Sequence, residues 1–184
     1  QDYRVFCNYG TILQNLGKYK DSELFIRKAI EIKPDFAYAH CNLGNLFIEL
    51  GKLKQAEFFT RKAIEIQPDF VNAYYNLGLI LKDIGEYKEA FECYLKVIDF
   101  NPNLTINYSS IVILLRDSDL TVFNKSKLEN IITILLERND ISHQELFTVF
   151  NYIFVNQLEN YLLSLDLNLS NFDLYEPFIK NKLI

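Results

Sequence analysis

Along the first hundred or so residues, apolar side chains recur three and four positions apart, in stretches broken by short polar runs. That spacing lays one apolar face along an α-helix. In HCNLGNLFIELGKLKQAEFFTRKAIEIQPD, Leu43 and Phe47 share one face of a leading helix, and Ala56 and Ala63 share one face of a following helix. YYNLGLILKDIGEYKEAFECYLKVIDFNP repeats the arrangement with Leu77, Leu81, Ala90 and Val97, and Ser22 and Ala29 hold the following-helix places in the stretch before. Each leading helix ends just before Gly17, Gly51 or Gly85, where a left-handed residue closes a helix most easily as glycine. Each following helix stops before Pro34, Pro68 or Pro102, which cannot continue it.

Further along, residues 105–116, TINYSSIVILLR, read as one more leading helix. Ser126-x-x-Glu129 forms a capping box ahead of Leu128, Ile131, Ile132, Leu135 and Leu136. Ser142-x-x-Glu145 forms another, ahead of a pattern running from Leu146 and Phe147 through Ile153 to Tyr161 and Leu162. Asn139-Asp140 separates the two helices, residues 166–173 read as an Asn/Asp/Ser-rich loop, and a short last helix starts near Tyr175. Every predicted element is helical, so the expected class is all-α.

The breaks fall on one ruler. Gly10, Gly44 and Gly78 are 34 residues apart, as are Gly17, Gly51 and Gly85, and as are Pro34, Pro68 and Pro102. A fixed period of this length marks a stack of helix pairs, here in units 3–36, 37–70 and 71–104. Gly10, Gly44 and Gly78 lie inside the leading helices, where each costs about 1 kcal/mol relative to alanine. That repeated cost predicts close approach of the following helix at Ser22, Ala56 and Ala90. Ile111 and Val112 stand where Leu-Gly belongs, so the fourth unit from residue 105 is degenerate. The expected division is a repeat solenoid over 1–118 and a helical C-terminal extension over 119–184. No Met occurs, the chain opens inside a repeat, and IKNKLI carries no stop signal, so it reads as a fragment.

These positions resemble the tetratricopeptide repeat. The family pattern of aromatic, Leu-Gly, Gly-x-Tyr, Ala, aromatic, Ala and Pro is met almost fully in units two and three, while unit one departs at Tyr9 and Ser22. The resemblance covers residues 3–104. It implies a right-handed superhelical solenoid of antiparallel helix pairs, and a scaffold that binds a protein or peptide segment in its concave groove. It also places certain residues on the groove wall: Asn8, Asn42 and Asn76 as a ladder at intervals of 34, with Tyr38, Asn45, Ile48, Asn72, Tyr75 and Lys82 beside them. A carboxamide offers one acceptor and two donors, so it can pair with a peptide C=O and N–H together. Helix pairs stack roughly 10 Å apart and an extended chain advances about 3.3 Å per residue, so each rung meets roughly every third ligand residue. The ladder is similar to that in the repeats of O-linked N-acetylglucosamine transferase; the alternative is that Asn here is only family consensus. A clamp for the acidic tails of Hsp70 and Hsp90 is not expected. That clamp needs Lys and Asn in the first repeat, Asn in the second, and Lys and Arg in the third. This chain has Cys7 and Thr11, then Asn42, then Asn72 and Asn76, so only Asn42 matches and no cation is present.

Charge and cysteine content narrow the function. A net charge of -5, with the acid excess in the second half, argues against a nucleic-acid partner. No apolar run reaches the roughly 18–20 residues of a membrane span, so no membrane partner is expected either. Cys7, Cys41 and Cys93 form no CxxC or Cys/His cluster, which fits reduced thiols in a cytoplasmic protein without a metal or other cofactor. Cys7 and Cys41 share one repeat position, which places them near each other on the groove wall. His40 takes an aromatic packing position and His143 an exposed first turn; Arg27-Lys28 and Arg61-Lys62 read as an outer face paired with Glu31 and Glu65. No catalytic constellation is legible, so an enzyme is not expected in this chain. The second half resembles, more weakly, the helical region after the repeats in bacterial tetratricopeptide proteins that continue into a methyltransferase or glycosyltransferase. The alternative function is therefore the substrate-recruiting or regulatory arm of a larger transferase. A third reading is self-association through the open end of the solenoid and the aromatic segment 172–178.

Overall fold

The computed structural model describes residues 2–138 together with 146, 149 and 151–153. The described residues hold α-helix and one 3-10 turn, with no strand. Three antiparallel pairs come first: α1 (Tyr3–Asn15) with α2 (Tyr19–Ile32), α3 (Ala37–Glu49) with α4 (Leu53–Ile66), and α5 (Val71–Ile84) with α6 (Tyr87–Phe100). A lone leading helix, α7 (Thr105–Asp117), and the 3-10 turn Leu120–Val122 complete a compact unit that runs from Gln1 to Phe123. The architecture is an all-α repeat solenoid.

Each leading helix closes in the same way. Gly17, Gly51 and Gly85 adopt φ of 71°, 66° and 94°, and the Gly17 and Lys18 N–H groups donate to Gln14 O and Leu13 O at 2.8 and 2.9 Å. Gly51 and Lys52 repeat this on Ile48 O and Phe47 O, and Gly85 and Glu86 on Lys82 O and Leu81 O. This paired bonding satisfies the last carbonyls of the helix and turns the chain back sharply. At the other turn, Phe36, Phe70 and Leu104 each donate their N–H three residues back. Their apolar side chains sit where a polar cap would stand, and no side chain caps α3, α5 or α7.

The leading-helix glycines are buried where the two helices of a pair touch, though the side chain that needs the space is not the one the sequence suggested. A Cβ on Gly10 would lie 2.6 Å from Ile26 Cγ1, and one on Gly78 would lie 2.5 Å from Tyr94 Cε1. One on Gly44 would overlap Thr60 Oγ1. Ile26, Thr60 and Tyr94 are themselves 34 apart, one turn beyond Ser22, Ala56 and Ala90. Ser22 and Ala56 contribute through their backbone carbonyls, 3.2 and 3.3 Å from the same points. Between units, Ile26 and Ala29 of α2 pack with Ala39, Leu43 and Leu46 of α3 in one cluster, and Ala63 of α4 packs with Phe70 and Ala73 in another.

The second compact unit is Asn124–Ile184. It contains α8 (Lys125–Leu136), with Leu128, Ile131, Ile132 and Leu135 buried. Its cap is Asn124, whose side-chain oxygen accepts from Lys127 N at 3.1 Å, and not the expected Ser126, which lies inside the first turn. Asn124 holds the extended backbone a cap requires. Leu146, Val149 and residues 151–153 are helical. The Ser142 capping box, His143, the 166–173 loop, the last helix and the 172–178 aromatic segment lie outside the described residues.

Candidate functional site: the inner groove

The leading helices approach one another more closely than the following helices do: α1 touches α3 and α3 touches α5, while α2, α4 and α6 make no comparable contact among themselves. The repeat stack therefore curves with its leading helices inward, and the surface those helices share is the candidate groove.

Along this surface, hydrogen bonds link each unit to the next, at an offset of 31 residues for Asn42 with Thr11 and of 35 for the others. Asn42 Nδ2 donates to Thr11 Oγ1 at 2.9 Å and to Cys7 Sγ at 3.3 Å, and Asn76 Nδ2 reaches Cys41 Sγ at 3.6 Å. The hydroxyls of Tyr75 and Ser110 share a bond of 3.2 Å, and Gln14 Nε2 donates to Glu49 Oε1 at 2.8 Å. Cys7 and Cys41 are buried beneath the asparagines of the following unit. Burial, which penalises a thiolate, raises both thiols and takes Cys41 to about 12. They are protonated at neutral pH and serve as wall, not as nucleophiles or ligands. No group of side chains among the described residues could hold a metal ion.

The other residues picked out by sequence are distributed as follows. Asn8 is exposed and makes no hydrogen bond to the described residues; Asn45 and Ile48 are half-buried beside Asn42; Asn72 is exposed on α5. Tyr38 is exposed, its ring 4.6 Å from that of Phe70 and 5.9 Å from that of Phe36, at one edge of the surface. Lys82 pairs with Asp83 at 3.1 Å. Every cation on this surface is neutralised in the same local way, Arg4 by Asp2 at 3.0 Å and Arg116 by Asp117 at 2.8 Å. These bonds hold Asp2 and Asp117 below the usual carboxylate range. Sequence reading missed Ile106 and Ile113, the fourth-unit counterparts of Asn72 and Leu79 on α7, both exposed. Adding 34 to those two positions would have found them.

Two of the remaining sequence expectations fall into place here. His40 is buried, with Nε2 2.8 Å from Pro34 O, and Tyr108 makes the equivalent bond to Pro102 O at 2.9 Å. On the outer face Lys62 pairs with Glu65 at 2.8 Å as expected, while Arg27 and Arg61 pair with Glu23 and Glu57, one turn before them and not one turn after. The backward choice also lets Arg61 reach Glu89 of α6 at 2.8 Å. A cleft of about 340 Å³ opens there, between α4, α5 and α6, and contains none of the residues expected to bind.

Family models described as tetratricopeptide repeat match residues 3–36, 37–70 and 71–104. The chain belongs to the tetratricopeptide repeat family. Its repeat body is of a kind that serves as a protein-interaction module. Among solved structures it is similar to the tetratricopeptide domain of Arabidopsis OM64, with 23% identity and a TM-score of 0.61 over 63% of this chain and 96% of that one. It is also similar to the first tetratricopeptide domain of Spaghetti (RPAP3) bound to the HSP90 peptide SRMEEVD, with 20% identity, a TM-score of 0.60, and coverage of 62% and 90%. A third likeness is to a Thermobaculum terrenum O-GlcNAc transferase, with 21% identity and a TM-score of 0.64 over 73% of this chain. The chain corresponds to 25% of that transferase. At such identities the shared property is the tetratricopeptide fold. No curated protein matches the sequence. No described helix is long and apolar enough to cross a membrane.

Proposed function

We propose that the inner groove of the tetratricopeptide repeats binds an extended, weakly charged segment of another protein, gripping mainly its backbone. The observation that carries this reading is the pairing of every groove cation with an adjacent carboxylate. A cation already held by its neighbour adds little to capture of an acidic ligand, and Glu49 leaves the surface slightly negative. What remains for a ligand is neutral: the Asn8 carboxamide, the Asn42 carboxamide oxygen, Asn45, Asn72, Asn76, and the apolar surfaces of Tyr38, Ile48, Leu79, Ile106 and Ile113. Amides of this kind read main chain, and the apolar groups favour an aliphatic or aromatic side chain toward the third and fourth units. The transferase-arm reading would use the same groove to present protein substrates, and no observation in the described residues favours it over simple binding.

Selection from a random peptide library displayed on phage tests the proposal. Enriched peptides should be poor in Asp and Glu, and replacing backbone N–H groups by N-methyl groups should abolish their binding. Enrichment of acidic peptides such as SRMEEVD would sink it.

A further inference from the structure

The cleft between α4, α5 and α6 has a counterpart one unit earlier, between α2, α3 and α4. Arg61, Ile64, Tyr74 and Leu77, which line the cleft, stand 34 positions after Arg27, Ile30, His40 and Leu43. The earlier place is filled. Phe59 of α4 lies there, its ring stacked on that of His40 with centroids 6.1 Å apart, and 5.6 Å from the ring of Phe47. The Arg27 guanidinium stands 5.4 Å from the centre of the Phe59 ring. At the same position in the next unit, α6 carries Cys93 in place of Phe59, and Glu92 follows Phe58. A thiol is far smaller than a phenyl ring, and the difference is left open as the cleft of about 340 Å³. Helix seams are otherwise packed to the density of a crystal, so this is a place that a ring fits and the chain does not fill.

The walls specify the occupant. Leu77 and Cys93, 3% and 6% exposed, supply an apolar floor, and half-buried Tyr74 offers an aromatic face where His40 stacks on Phe59. Arg61 takes the place of Arg27, held by Glu57 at 2.9 Å and by Glu89 at 2.8 Å. A fixed guanidinium beside a ring favours an electron-rich aromatic. Among the charged lining residues, Glu65, Glu89 and Glu92 outnumber Arg61 and Lys96, which disfavours an anion. The volume lies at the small end of the roughly 300–1,000 Å³ typical of small-molecule sites. The rim carries the ion pairs Lys62–Glu65 and Lys96–Asp99. Charged residues are depleted from the cores of protein interfaces, so this rim suits a free small molecule rather than the side chain of a protein partner.

We propose that this outer cleft binds a small, uncharged, electron-rich aromatic molecule of one or two rings, in the place that the Phe59 side chain takes one unit earlier. The site is separate from the inner groove, and neither reading depends on the other. Indole is a suitable probe because the chain contains no Trp, so indole fluorescence reports binding directly. Titration with the 184-residue chain should give a saturable change in indole emission, and indole-3-acetate, with its carboxylate, should bind more weakly. Cys93→Phe restores the missing ring; it should abolish the change and raise the melting temperature, which shows that the fold is kept. Arg61→Gln, at a partly exposed position, should weaken indole binding about two- to fivefold. A change in emission that never saturates, or a saturable one that survives in Cys93→Phe, would overturn the proposal. So would an affinity indifferent to Arg61→Gln, or tighter binding of indole-3-acetate than of indole.

Discussion

Asn42 shows how one residue can hold the fold together and still offer something to a ligand. Its two amide protons go to Thr11 and Cys7 of the preceding unit, while its carboxamide oxygen has no partner among the described residues. Removing the amide by Asn42→Ala deletes a bond between units, and a typical intramolecular hydrogen bond contributes about 1 kcal/mol. The expected result is a lower urea midpoint for Asn42→Ala and an unchanged one for Asn8→Ala, whose side chain is exposed and unbonded. Equal midpoints for the two variants would contradict the stapling role. The 34-residue spacing of these asparagines was legible in sequence because it depends only on the repeat. Their pairing with cysteines one unit back was not, because it depends on the offset between stacked helices, which local spacing does not encode.

At the scale of elements, glycine carries two separate arguments. Gly85 holds φ of 94° with nothing near its missing side chain, so Gly85→Ala costs backbone strain alone, about 1 kcal/mol. Gly78→Ala regains about 1 kcal/mol of helix preference. It also drives a methyl to within 2.5–2.9 Å of three carbons of the fully buried Tyr94 ring, which cannot swing aside, so the strain falls at or above the upper end of about 1–3 kcal/mol. Chemical denaturation should rank the Gly78 variant as the less stable of the two, and the reverse order would overturn this assignment of causes. The helix ends were legible because Gly and Pro act through their own backbone limits. The cap of α8 was misplaced by two residues because Asn124 and Ser126 are both competent caps, and only backbone geometry separates them. The ion pairs of Arg27 and Arg61 were drawn to the wrong turn for a similar reason: carboxylates stand on both sides, and tertiary contacts are not local, Arg61 also reaching Glu89 and Arg27 lying over the Phe47 and Phe59 rings.

For the whole repeat body, burial of thiols and a phenol sets the alkaline limit. Cys41 and Cys93 are each pushed up to about 12 from 9.0 by burial, and Tyr94 is raised by the same cause. Below pH 9 these thiols are protonated in folded and unfolded chains alike, so their contribution is fully present. Above it the unfolded thiols ionise first, and stability falls by about 1.4 kcal/mol per pH unit for each thiol until the folded value is reached. Melting temperature should decline from about pH 9 upward, and the decline should flatten in a Cys41→Ala, Cys93→Ala variant. A slope unchanged by those substitutions would assign the effect elsewhere. The central claim, that the inner groove binds main chain through its neutral amides, is tested most directly by calorimetric titration of one selected peptide. The wild-type chain is compared with an Asn8→Ala, Asn72→Ala variant, which removes two exposed amides and leaves the bonds of Asn42 and Asn76 between units in place. Affinity at least about tenfold weaker, equivalent to about 1.4 kcal/mol, with an unchanged melting temperature is the predicted result; equal affinity for the two proteins would contradict it.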